Sequence, residues 1–380
     1  MKIMASEEIS IRDLEDLLPR IPVVAEVHPL VPLCLPQGTR IITDATELVT
    51  ELDSPNIHQT SNILILDKHR PLSSRLPVFR CLKCPPANLV NERLPYNLYH
   101  ARHQMLTISK LAERIEQDVA EDLPDITVLF LVDGLGYWDI VEWPCEVEPC
   151  FVDGPSVTYR FRDRQKKAVA EDVGFPAIIN RPSIADRLYT LGFRHARGYS
   201  YWNRYNNIAD YMFEGIPLER VSNFEDVRSL LQDEPLRQGT FIQIVREGLD
   251  GLAHHKRELR QAAVSVTIKN ILEDILILLE LLRNGGFSVT VFLVADHGIL
   301  WKTEHEFRKM RYPGECKPRY STNNPGKTLQ EYVTKLEKVN SEYFLLHYPY
   351  LGAPIRSNDS GVHGGLSLQE SIVPYARFRG

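Results

Sequence analysis

Three short apolar runs constrain this chain more than any other feature of its sequence: residues 127–132 (TVLFLV), 289–294 (VTVFLV) and 240–245 (TFIQIV). A strand with one wet face alternates polar and apolar side chains. These runs barely alternate, as expected of strands covered on both faces of a parallel sheet. Each ends in an aspartate or reaches one within a few residues, at Asp133, Asp296 and Asp250. Open α/β sheets bind ligands beyond the carboxyl ends of their strands, so three strands delivering acids to that edge predict one shared site.

The intervening sequence suits crossover helices. A helix is expected over 107–123, ending at Pro124. Another should follow Ser183 as its N-cap and close at Gly192. A long one over 257–283 carries apolar residues on nearly all sides of its second half and stops at Asn284-Gly285-Gly286. The alternation predicts an α/β sandwich with a mostly parallel central sheet over residues 106–380. Residues 1–105, with strands expected at 23–27 and 62–66, a helix near 44–51 and many prolines, predict a small N-terminal α/β lobe. Segments near 198–238 and 301–350 fall between the motifs and are expected to form caps or pocket walls.

A chain of 380 residues, 43% hydrophobic, is long enough for such a core. Its 44 basic and 50 acidic residues give a formal charge of -6, which advertises neither nucleic acid nor an anionic membrane. The N-terminal stretch lacks the continuous apolar segment of a secretory signal, and the most apolar run, 275–282, is far short of the ~20 residues that span a bilayer. A cytoplasmic protein without a membrane partner is expected. Cys34, Cys81, Cys84, Cys145, Cys150 and Cys316 then read as reduced thiols, with a zinc knuckle from Cys81/Cys84 and Cys145/Cys150 as the alternative.

Several segments carry groups suited to metal chemistry. Asp133-Gly134-Leu135-Gly136 places an acid and two glycines after a strand, although Asp-Gly is also an ordinary turn. In Asp250-Gly-Leu-Ala-His254 the i, i+4 spacing puts both side chains on one helix face, with His255 as a competing ligand. Asp296-His297-Gly298 leaves a buried strand directly. Gly361-Val-His363-Gly-Gly365 sets an imidazole in a glycine-rich loop. Pro155-Ser156-Val157-Thr158 offers hydroxyls that a divalent cation would activate as nucleophiles.

In this order the segments resemble the alkaline phosphatase superfamily over roughly residues 125–380, and the ending from Gly361 to Pro374 is similar to its PglZ branch. The resemblance implies an alkaline phosphatase-like fold with two divalent ions, zinc with manganese as the alternative. Asp133, Asp296 and His297 would hold one ion, and Asp250, His254 and His363 the other. It makes Thr158 the nucleophile, in preference to Ser183. Relatives often place a small polar residue after the nucleophile. Here Tyr159 follows, then Arg160, Arg162, Arg164, Lys166 and Lys167, of which Tyr159, Arg160 and Arg162 are the expected substrate contacts.

The PglZ likeness further implies a phosphodiester substrate, nucleotides or nucleic acid rather than lipid, and a bacterial phage-defence or signalling context with protein partners. A non-hydrolytic phosphate-binding subunit and a phosphomonoesterase or phosphomutase are the alternatives. Tyr199, Tyr201, Trp202, Tyr205, Arg311, Lys317, Arg319 and Lys327 are expected either to contact bases and phosphates or to pack the lobes.

Overall fold

The computed structural model describes residues 7–20, 22–36, 38–42, 63–66, 78–83, 85, 87–155, 173–179, 182–202, 209, 212–255, 261–338 and 341–380. The chain divides into two compact units, Met1–Met105 and Leu106–Gly380.

The first unit carries a five-stranded sheet in the order Glu7–Glu8, Val78–Cys81, Val23–Val27, Ile63–Leu66, Arg40–Ile42, with every pairing parallel. Val23, Val24 and Ala25 are buried, as a central strand covered on both faces requires. Ser10 caps the helix Ile11–Leu17 reciprocally with Asp13. The helix expected near 44–51 lies outside the described residues.

The second unit is built on an eight-stranded sheet. Its order is Leu218–Arg220, His195–Ser200, Thr240–Glu247, Ile126–Asp133, Val289–Ala295, Ile372–Arg379, Glu146–Phe151, Leu106–Thr107. Only Ile372–Arg379 runs against the others. The three apolar runs are adjacent central strands, and residues 126–132 and 289–295 are buried throughout. In register, Asp133 faces Glu247 while Val132 faces Ala295, so all three strands end at one level.

Two crossover helices form as the sequence predicts, with local corrections. Ile184–Thr190 starts from a Ser183/Asp186 capping box, and Gly192 takes a positive φ beyond its end. The 107–123 segment is strand at Leu106–Thr107, a 3-10 turn, and then the helix Leu111–Asp122. The helix Gln261–Asn284 does not bury all sides. Ile271, Ile275, Leu278 and Leu282 form one buried stripe, whereas Leu276 is 46% exposed. It is a surface crossover, and its extra apolar residues face solvent or lie half-buried.

Among the described residues of 198–238, Leu218–Arg220 completes the parallel edge of the large sheet, the helix Phe224–Asp233 follows, and Tyr201, Val221, Phe224 and Val227 line a cavity. The 301–350 segment does form a separate element, an antiparallel sheet of Tyr320–Ser321, Ser341–Leu346 and Val333–Lys338 with its own core of Tyr312, Val333, Phe344 and Leu346. No described helix is long and apolar enough to cross a membrane.

Candidate metal centre

The strand ends bring six of the expected residues into one cluster. Asp133 is the last residue of Ile126–Asp133, and Asp296 and His297 follow Val289–Ala295. Asp250 opens the helix Asp250–His255, which carries His254 one turn later. His363 follows Gly361–Val362, a short strand paired with Leu300–Trp301 beside the same edge.

Backbone bonds fix these loops to one another. Leu249 N–H donates to Gly134 O at 2.9 Å, Leu135 N–H to His297 O at 2.8 Å, and Ser360 N–H to Ala253 O at 2.7 Å. Gly134 has φ +79, and a Cβ there would sit 2.9 Å from the Asp250 backbone nitrogen and 3.2 Å from the His297 ring. Its missing side chain lets the three site-bearing segments approach, whereas the sequence suggested only room for a ligand.

Two groups of three ligand-competent atoms result, Asp133/Asp296/His297 and Asp250/His297/His363, each within 4.8 Å of one another. His254 extends the second, because its Nε2 lies 3.2 Å from Asp250 Oδ1 and 3.3 Å from His363 Nε2. His363 Nε2 is 3.5 Å from Asp250 Oδ1. His297 Nε2 stands between the two groups, 3.5 Å from Asp133, 3.7 Å from Asp296 and 3.8 Å from Asp250. Donor atoms ~2.0–2.2 Å from a tetrahedral ion lie roughly 3.3–3.6 Å apart, close to these spacings.

Asp250 Oδ1 is the sharpest observation. It is buried, three imidazole nitrogens lie within 3.8 Å of it, and it accepts no hydrogen bond. Ligand-competent atoms converging at short range without hydrogen-bond geometry fit a shared cation. The ion pairs of Asp133 and Asp250 are all with histidines, so no Lys or Arg among the described residues neutralises them.

Titration reflects that shortage of positive charge. Burial favours neutral His297, yet the carboxylates of Asp296, Asp133 and Asp250 outweigh it and push the imidazole up to about 10. Burial alone would raise the Asp250 carboxyl, but His254, His297 and His363 hold it well below the usual carboxylate range. The contact with Asp250 raises His254. His363 is driven well down by burial and by the neighbouring His297 charge, leaving a neutral imidazole suited to ligation.

Supporting contacts orient these groups. The Tyr201 hydroxyl donates to Asp133 Oδ2, leaving Oδ1 facing His297. His297 Nδ1 lies 3.1 Å from Gly298 O, which directs Nε2 into the cluster. Asp359 Oδ1 stands 3.5 Å from His254 Nδ1. Behind the His363 loop, fully buried Arg319 and Glu370 form a two-pronged ion pair at 2.9 and 2.8 Å, and Glu370 also accepts from Gly365 N–H and Ser367 Oγ.

Several expected contacts belong elsewhere. Arg319, expected to bind phosphate or pack the lobes, is locked to Glu370 with no exposed surface. Tyr199 is buried in the sheet, and half-buried Trp202 packs edge-on against Phe175. Ser183 is engaged as a helix cap. Described cysteines are free thiols, and none joins a metal-competent group. Thr158, Ser156, Tyr159, Arg160, Arg162, Tyr205, Cys84 and the side chain of His255 lie outside the described residues.

No family model matches the chain, and none of the curated proteins does. Solved structures similar to it include murine ectonucleotide pyrophosphatase/phosphodiesterase 5, at 12% identity and TM-score 0.43, covering 66% of this chain and 87% of that one. Phosphonoacetate hydrolase from Sinorhizobium meliloti is similar at 12% identity and TM-score 0.41, covering 67% and 90%. The TAB5 alkaline phosphatase aligns at 11% identity and TM-score 0.28, covering 68% and 92%. These proteins are alkaline phosphatase-superfamily members.

Proposed function

We propose that this chain is a two-metal phosphodiesterase of PglZ type, acting on nucleotides or nucleic acid through Thr158. The observation that carries the reading is Asp250 Oδ1, approached by three imidazole nitrogens and hydrogen-bonded by none, at the carboxyl edge of three adjacent strands. Asp133, Asp296 and His297 would hold one divalent ion, and Asp250, His254 and His363 the other. The mixed imidazole and carboxylate donors favour zinc, with manganese as the alternative. Ions bound there supply Lewis-acid stabilisation of phosphoryl charge and activate a hydroxyl as nucleophile.

The protein's own groups complete the chemistry. Thr158 Oγ forms a bond to phosphorus while the ester P–O bond breaks. The threonine proton goes to solvent, and the departing oxygen takes a proton from solvent and leaves as an alcohol. Water then cleaves the Thr158 ester of the remaining diester, releasing a phosphomonoester and restoring the hydroxyl. Two features favour Thr158. Ser183 is occupied as a cap, and Pro155, three residues before Thr158, packs beside Gly364, next to His363. Tyr159, Arg160 and Arg162 would contact the phosphate or its substituents. The PglZ-like ending supports a role in bacterial phage defence or signalling with protein partners, and the cytoplasm is the compartment we assign to it.

Purified protein reconstituted with zinc or manganese tests this on a diester reporter, a monoester reporter and a nucleotide panel, with Thr158→Ala in parallel. Diester cleavage lost in Thr158→Ala with both metals retained supports the reading. Metal-loaded protein that cleaves nothing would instead be a phosphate-binding subunit. Full activity in Thr158→Ala removes the nucleophile assignment.

A further inference from the structure

Beside the candidate metal centre lies a cavity of about 390 Å³, within the range of small-molecule pockets. Its floor is apolar, with Val221, Phe224 and Val227 buried. Exposed Asn270 and Glu247 stand at its rim. It adjoins the cluster on two sides. Tyr201, whose hydroxyl holds Asp133, lines it, and so does Gly251, the residue after Asp250.

Among the described residues the cavity's one lining cation, Arg246, is paired with Asp274 at 2.5 Å and donates to the Glu247 carbonyl at 2.6 Å. Glu247 has no cationic partner among the described residues, and its carboxylate lies against Gly251, where a Cβ would come within 2.2 Å of Oε1. Glycine at 251 therefore keeps this carboxylate over the first turn of the ligand-bearing helix.

We infer that this cavity receives the organic group esterified to the bound phosphoryl, and that Glu247 selects groups ending in a positive charge over those ending in a negative one. This rests on the phosphoester reading of the adjacent cluster. An apolar floor accepts an alkyl or ring portion, the Asn270 amide can hydrogen-bond to it, and a second phosphate or carboxylate would meet Glu247 at the mouth. An exposed charge contact of this kind is worth roughly a two- to fivefold change in affinity.

The test is calorimetric titration of the zinc-loaded protein with two non-hydrolysable methylphosphinates, in which both substituents join phosphorus through carbon, one with an arm ending in trimethylammonium and one in carboxylate. Wild type is expected to bind the cationic arm at least about twofold more tightly, with Glu247→Gln levelling the preference and Glu247→Lys reversing it. Equal binding of the two arms, the same preference in Glu247→Lys, or no binding of either overturns the inference. Cleavage of matched p-nitrophenyl diesters is followed in parallel. Arm selectivity without cleavage sets aside the hydrolase alone, and cleavage without arm selectivity sets aside the cavity assignment alone.

Discussion

Asp359 Oδ1 lies 3.5 Å from His254 Nδ1, on the edge of the imidazole opposite the nitrogen that meets Asp250. A carboxylate behind a ligand histidine fixes its tautomer and raises its basicity. Asp359→Asn keeps the shape and removes the charge. It is expected to weaken binding of the ion at Asp250, His254 and His363 about tenfold, read by competition with a chromogenic chelator. Unchanged affinity would mean that Asp359 does not support the ligand.

Tyr201 plays the corresponding part for Asp133. Burial and the adjacent Asp133 charge push its phenol far above the usual tyrosine range, so it stays a donor at any working pH. Tyr201→Phe should leave the fold intact by circular dichroism and lower affinity for the ion at Asp133, Asp296 and His297 about tenfold. Chelator competition that matches wild type contradicts this role.

The Arg319–Glu370 pair holds the base of the His363 loop. Removing one partner of a buried ion pair strands the other charge, so Arg319→Met should cost about 3–5 kcal/mol in urea unfolding. Restoring neutrality with Arg319→Met/Glu370→Gln should recover part of that loss. A cost below about 1 kcal/mol for the single variant would show that the pair carries no structural weight.

His347 makes stability pH-dependent. Burial, then the Arg319 charge, lowers its imidazole from 6.5 to about 4. The unfolded chain therefore binds this proton more readily than the folded one. Its stabilising contribution is complete above pH 6.5 and is lost as pH falls from 6.5 towards 4, at a cost of about 2–3 kcal/mol. Urea unfolding of metal-free wild type between pH 7.5 and 4.5 should show that extra loss relative to His347→Gln. Parallel pH profiles for the two proteins would contradict it.

The parts of the fold legible in the sequence were those with a local signature. Residues 127–132 and 289–294 announce buried parallel strands because both of their faces are covered, and Asp133 and Asp296 follow at their ends. Ser183 and Asp186 announce a helix start because the capping box is local. Asp359 and Tyr201 had no such signature. Each acquires its part from a partner distant in sequence, 105 residues away for His254 and 68 for Asp133. For Arg319 the structure decides between the two expected parts in favour of packing. An arginine on a buried ion pair and one on a phosphate look alike until Glu370 is placed beside it. The segment 198–238 contributes the short edge strand Leu218–Arg220 and cavity-lining residues such as Val221 and Phe224, parts set by pairing and packing with distant segments that its own periodicity does not display.

The central claim is that six side chains at one sheet edge hold two divalent ions. Diffraction at the zinc absorption edge from zinc-loaded crystals tests it most directly. Two anomalous peaks are expected, one about 2.0–2.2 Å from donor atoms of Asp133, Asp296 and His297, the other at the same range from Asp250, His254 and His363. No peak at this edge, or peaks ligated by other residues, would contradict the account.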